Sequence, residues 1–119
     1  FPPIESAGIS DGDEADDRPR FGSPRQEFRS GDPQVVWWGR LAERYLPLRD
    51  RIRVRFTDPR GVVAQEQTAE KTRKPYLRST LKLDGDIAVR HGIWRVEALL
   101  DDRPIDERTF RLAPARPPQ

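Results

Sequence analysis

The clearest pattern in the chain is "RDRIRVRFT", where Ile52, Val54 and Phe56 alternate with Arg51, Arg53 and Arg55 at a strict period of two. Such alternation predicts a strand with one face buried and the other in water. It runs into "DPRG", with aspartate, proline and glycine at the first, second and fourth places that a type I turn favours, and "VVAQEQT" returns as the partner strand. Glycine in the fourth place favours a three-residue loop with Gly61 left-handed. Asp58 then pairs with Val62, Arg55 with Gln65 and Arg53 with Gln67. A two-residue loop would instead set Arg53 opposite Glu66 and Phe56 against Val63.

Further short segments follow the same logic. "QEFRS" ends at Gly31-Asp32-Pro33 and "QVVWWGRLAE" comes next. "PYLRSTLKLDGD" places Leu77, Leu81 and Leu83 on one face, and "GIWRVEALL" does so with Trp94, Val96, Ala98 and Leu100. After the turn "DDRP", "IDERTFRL" turns Phe110 and Leu112 inward. Only residues 40 to 48, "RLAERYLPL", can form a helical turn, and Pro47 limits it. Six or seven short strands without strand-helix alternation predict an all-β, antiparallel sandwich.

The adjacent tryptophans of "QVVWWGR" need two explanations, because neighbouring residues of a strand face opposite ways. Parity assigns Val35, Trp37 and Leu41 to the core and Val36, Trp38 and Arg40 to the outer face. An outward stripe of this kind is covered by its own chain, buried by a second protein, or used as a platform for a sugar ring. The first is favoured, since large apolar patches are rarely left bare; a protein comes next, because tryptophan and arginine are enriched at interface hot spots.

Composition changes the picture at the front of the chain. Of the 119 residues, 34% are hydrophobic, 35% are charged and 12 are proline, so part of the length is expected to lie outside the packed core. Residues 1–24, with Pro2, Pro3, Pro19, Pro24 and the run "DGDEADD", read as an extended or disordered acidic arm. The sandwich is then expected over 25–114 and a tail over 115–119. Residues 1–34 hold eight acidic residues against four arginines, a net of −4, which leaves +6 on the remainder. A basic body with an acidic leader suggests docking of the arm in cis or an acidic partner. The arginine row Arg51, Arg53 and Arg55 is the expected receiver, with a solvated, salt-bridged face as its plainest reading.

The chemistry is narrow. Without cysteine, thiol catalysis and thiolate metal sites are excluded, and one histidine, His91, cannot make a structural zinc site. There is no G-x-S-x-G elbow and no phosphate-binding loop. A calcium loop over the acidic run fails, because Ala15, Asp16 and Gly22 occupy its fifth, sixth and twelfth places. Asp84 with Asp86, and Asp101 with Asp102 and Asp106, read as turn residues rather than paired catalytic carboxylates. No catalytic residue, metal or cofactor is expected, and no apolar run approaches a membrane span.

The closing "GIWRVEALLDDRPIDERTFRL" resembles the last hairpin of bacterial immunoglobulin-like or fibronectin-III-like accessory domains, in which G-x-W-x-V, a polar turn and F-x-L end the fold. The resemblance covers about twenty residues and implies an immunoglobulin-like sandwich of about seven strands acting as a binding or scaffolding module. The functional expectation is a noncatalytic interaction or assembly module of a larger extracytoplasmic complex, with Trp38, Arg40, Arg51, Arg53 and Arg55 as contacts. Protein partners are expected, edge-strand assembly is open, and the start at Phe1 is read as a processed form or a fragment. The alternative is a module for an anionic polysaccharide or nucleic acid bound by the arginine face, with nucleic acid disfavoured by the lack of interleaved aromatics.

Overall fold

A computed structural model describes residues 3–12, 25–73 and 75–115. They form two sheets packed face to face. The first has the order β1 (Ile4–Ser10), β3 (Gln34–Leu41), β7 (Tyr76–Lys82), β6 (Glu70–Lys71). The second has the order β2 (Glu27–Arg29), β9 (Arg103–Ala113), β8 (Gly92–Leu100), β4 (Ile52–Thr57), β5 (Val63–Thr68). Two 3₁₀ segments, Glu43–Arg51 and Ile87–Val89, complete the described elements. The first covers most of the expected helical turn, with Pro47 inside it.

The period-two alternation of the sequence becomes the core. Ile52, Val54 and Phe56 of β4, Trp94, Val96 and Ala98 of β8, and Phe110 and Leu112 of β9 face Val35, Trp37, Leu77 and Leu81 of the opposite sheet, all buried. Trp94 stacks on Phe110 at 5.7 Å between ring centroids, and Phe28 meets Phe110 edge-on at 5.5 Å. The β8–β9 hairpin closes through Asp101 and Asp102, both left-handed at φ 49° and 68°, which matches the primed two-residue turn that fits strand twist.

Two expectations are corrected. Part of the stretch read as an arm is a strand: Ile4–Ser10 pairs antiparallel with β3 and buries Ile4 and Ile9, so the sandwich begins at Ile4 and not at residue 25. An irregularity between Ile4 and Ser6 breaks the period-two signal, and Ala7 and Gly8 add little apolar weight. The acidic residues 13–24 and the end of the tail, 116–119, lie outside the described residues. Second, the sandwich is not wholly antiparallel, since β2 runs parallel to β9. β1 and β2 belong to different sheets, and β2 enters the second sheet pointing the same way as its last strand. Among the described residues there are nine strands, counting the short β2 and β6.

Candidate functional site

The expected contacts do not form one surface. Trp38 and Arg40 sit on β3 of the first sheet; Arg53 and Arg55 sit on β4 of the second, with Arg51 closing the 3₁₀ segment before it. Because the inner faces meet in the core, the two groups point away from each other on opposite sides of the sandwich.

The arginine row is neutralised locally, which corrects the expected register. The turn closes as expected, with the Asp58 N–H donating to Val62 O at 2.8 Å. One extra residue on β5 then shifts the pairing: Thr57 faces Val63, but Phe56 faces Gln65 and Arg55 faces Glu66. Ala64 is the bulged residue, and bulges of this kind are hard to read from turn chemistry alone. Glu66 consequently pairs with both Arg55 (2.5 Å) and Arg53 (3.4 Å). The hydrogen bond from Arg55, helped by Coulombic attraction, holds the Glu66 carboxyl below its ordinary range and raises Arg55 in turn. Arg51 donates through Nε to Asp101 at 2.8 Å and pairs with it through Nη2. Glu97 stands beside Arg55 in register and is buried; Arg95 Nε lies 3.4 Å from its Oε1, close enough for attraction but without a hydrogen bond.

The tryptophan pair resolves into two different fits. Trp37 is fully buried, and its indole lies over Gly39, where an added Cβ would come within 2.5 Å of the ring. Its N–H donates to Asp106 Oδ2 at 2.9 Å, tying the two sheets, and Arg108 holds the same oxygen at 3.0 Å. Trp38 faces outward and is half-buried, its indole lying across Gly8 of β1 at a distance that leaves no room for a side chain there. It meets the Tyr76 ring at 6.4 Å; Arg40 lies over Tyr76 at 5.9 Å and pairs with Glu5 at 3.2 Å. Val36, expected on the open face, is instead buried, because the chain at Gly12 crosses it and Gln34 Nε2 binds the carbonyls of Asp11 and Gly12.

Three of the carboxylates singled out as possible pairs are engaged separately. Asp86 binds Arg90, Asp101 binds Arg51, and Asp106 binds Trp37 and Arg108. Among the described residues no three His, Cys, Asp or Glu side chains are placed to hold a metal ion, and no helix is long and apolar enough to cross a membrane. One pairing was not expected: Ser30 Oγ lies 2.7 Å from His91 Nε2. Ser30 Oγ also lies 2.5 Å from Ala88 O, so this pair ties the end of β2 to the 87–91 segment.

A surface that the sequence reading passed over lies at one end of the sandwich. The large hydrophobic side chains exposed among the described residues are Val62 (54%), Val63 (49%), Val89 (65%) and Ile93 (58%). They gather around the β4–β5 turn, the Ile87–Val89 segment and the start of β8. Val62 and Val89 both line a cleft of about 550 Å³, together with Asp58, Pro59, Arg60, Asp86, Arg90 and His91. Ile93 follows directly on Gly92, where an added Cβ would lie 2.9 Å from the Pro59 ring. The cleft is braced by Asp58, which is buried; it accepts the N–H groups of Arg60 and Val62 at 2.9 Å each and Arg90 Nη1 at 3.3 Å. Arg90 also binds Asp86, which holds that carboxyl below its ordinary range. A sequence signal existed: Ile93 shares parity with Arg95 on the outer face, and Val62-Val63 put two β-branched side chains beside a turn.

No family model matches the chain, and no curated protein matches it. Solved structures do. An immunoglobulin-like protein from Pseudomonas aeruginosa superposes with a TM-score of 0.62 at 14% identity, covering 92% of this chain and 94% of that one. The Lin-41 filamin domain gives 0.59 at 13% identity, covering 93% and 95%. Trypsin-activated alpha-2-macroglobulin from Escherichia coli gives 0.57 at 17% identity over 92% of this chain and 7% of its own. Two sheets with this strand order and these neighbours make the chain an immunoglobulin-like β-sandwich, as the closing hairpin had implied.

Proposed function

We propose that this domain is a noncatalytic protein-interaction module whose contact surface is the apolar end formed by Val62, Val63, Val89 and Ile93. The observation that carries the reading is that, in a chain that is 35% charged, two of the four exposed large hydrophobic side chains, Val62 and Val89, line one cleft, with Val63 next to the first and Ile93 next to the glycine that abuts Pro59. A bare apolar cluster on a rigid turn is costly to keep in water and is typical of binding surfaces. The role of an accessory domain in a larger extracytoplasmic complex belongs to the same proposal; a comparable unit accounts for 7% of the long Escherichia coli chain. Trp38 with Arg40 forms a second contact surface in this reading. Binding of an anionic polymer by the arginine row loses support, since Glu66 and Asp101 already occupy Arg51, Arg53 and Arg55.

The test is co-purification of the full chain with its native partners, compared with Val89→Asp, Trp38→Ala and the triple change of Arg51, Arg53 and Arg55 to Ala. Loss of a specific partner with Val89→Asp alone supports the apolar end. An unchanged set of partners in all three variants would refute the module as drawn, and loss only with Trp38→Ala would move the contact to the opposite sheet.

A further inference from the structure

Resting on that reading, we propose that the end cleft recognises an extended acidic segment of a partner protein, seating one aliphatic side chain between Val62 and Val89 and a flanking carboxylate on Arg60. The cleft combines an apolar stretch of lining, Pro59, Val62 and Val89, with a guanidinium group at Arg60. The carboxylates that line the cleft, Asp58 and Asp86, are both engaged by Arg90, and Asp58 is further committed to two backbone N–H groups of its own turn. Neither is left to meet Arg60, which is exposed and has no side-chain partner among the described residues. Arg111 is likewise exposed and stands directly opposite Ile93 in the β8–β9 register; its neighbour across β2, Glu27, is paired with Arg29 at 3.3 Å. Arg60 at the cleft and Arg111 opposite Ile93 thus have no carboxylate partner among the described residues, and guanidinium is the side chain best suited to a two-point contact with a carboxylate.

The part of the lining made by Pro59, Val62 and Val89 suits an aliphatic group, while Arg60, Asp86, Arg90 and His91 make the rest of it polar. Val62, Val89 and Pro59 offer no hydrogen-bonding atoms from their side chains, and Asp58 turns its oxygens into the turn and toward Arg90. A lysine-flanked segment would meet Arg60 and Arg111 as like charges, so the same residues that attract an acidic partner reject a basic one.

The experiment titrates the isotopically labelled full chain, followed by methyl and amide NMR, with three capped pentapeptides: a leucine flanked by glutamates, the same with lysines, and the glutamate peptide with alanine in place of leucine. The expected result is that the first peptide shifts the signals of Val62, Val89 and Ile93, that the other two bind at least about fivefold more weakly, and that Arg60→Glu inverts the preference between glutamate and lysine. Equal response to glutamate and lysine peptides, shifts confined to other surfaces, or an Arg60→Glu variant with unchanged preference would overturn the proposal. Failure here with partner loss intact in Val89→Asp leaves the interaction module standing and removes only the acidic segment. Failure of both removes the site.

Discussion

The Trp37–Asp106 tie allows the sharpest test of how the sheets are held together. Asp106→Ala leaves a fully buried indole N–H without its acceptor, since the 2.9 Å bond to Oδ2 is the one that satisfies it. An unsatisfied buried donor costs about 1–3 kcal/mol, and bonds to charged acceptors lie toward the upper half of that range, so about 2 kcal/mol is expected. For a domain of this size that lowers the melting temperature by about 8–14 °C. Asp106→Asn keeps a carbonyl oxygen in place and is expected to cost about half as much. Trp37→Phe removes the donor and part of the ring, with a packing cost of its own; in that background Asp106→Ala should add only about 0.5 kcal/mol, giving a coupling near 1.5 kcal/mol. Urea denaturation followed by circular dichroism measures all four corners of the cycle. Equal costs of Asp106→Ala in the two backgrounds would show that the hydrogen bond contributes nothing specific and that Asp106 acts only through Arg108.

Gly39→Ala places a Cβ 2.5 Å from the Trp37 ring, and the overpacking is expected to cost about 1–3 kcal/mol in the same denaturation assay; a neutral result would mean that Trp37 has another rotamer open to it. Val89→Asp changes an exposed position and should leave stability within about 0.5 kcal/mol of the parent, which separates any loss of partner from loss of fold. Glu66 has a depressed carboxyl pKa in the folded state, so its contribution is present above the unfolded value and is lost as pH falls through the folded one. The acid limb of a stability-versus-pH curve should therefore flatten in Glu66→Gln, and an unchanged limb would refute the pairing with Arg55. The same variant frees Arg53 and Arg55 and should strengthen retention on a heparin column at low salt relative to the parent.

Most of the architecture was legible because the core strands alternate cleanly. "RIRVRF", "GIWRVEA" and "TFRL" each commit every second side chain to the interior, and the structure buries those residues. What escaped was local irregularity. A one-residue bulge at Ala64 leaves no mark in composition, yet it moves Glu66 from a bystander to the carboxylate that answers two arginines. The strand Ile4–Ser10 was hidden by its own register shift and by acidic, proline-rich sequence on either side. The candidate site was harder still, for it depends on which residues from three separate turns arrive at one end. Parity indicates that Ile93 points outward; only the closed turn at Asp58 brings Val62 to the cleft that Val89 also lines.

The parallel pairing of β2 with β9 has a consequence for load. Since Glu27–Arg29 and Arg111–Ala113 run the same way, a pull toward the front of the chain on one and toward its end on the other slides the strands along each other. The bonds that flank the pair, Arg111 N–H to Gln26 O at 2.7 Å and Ser30 N–H to Ala113 O at 2.9 Å, are then strained together instead of one after another. Tension applied between β2 and the end of β9 would therefore load this short clamp in shear, whereas a pull from the front of the chain is met first by the antiparallel pairing of β1 with β3.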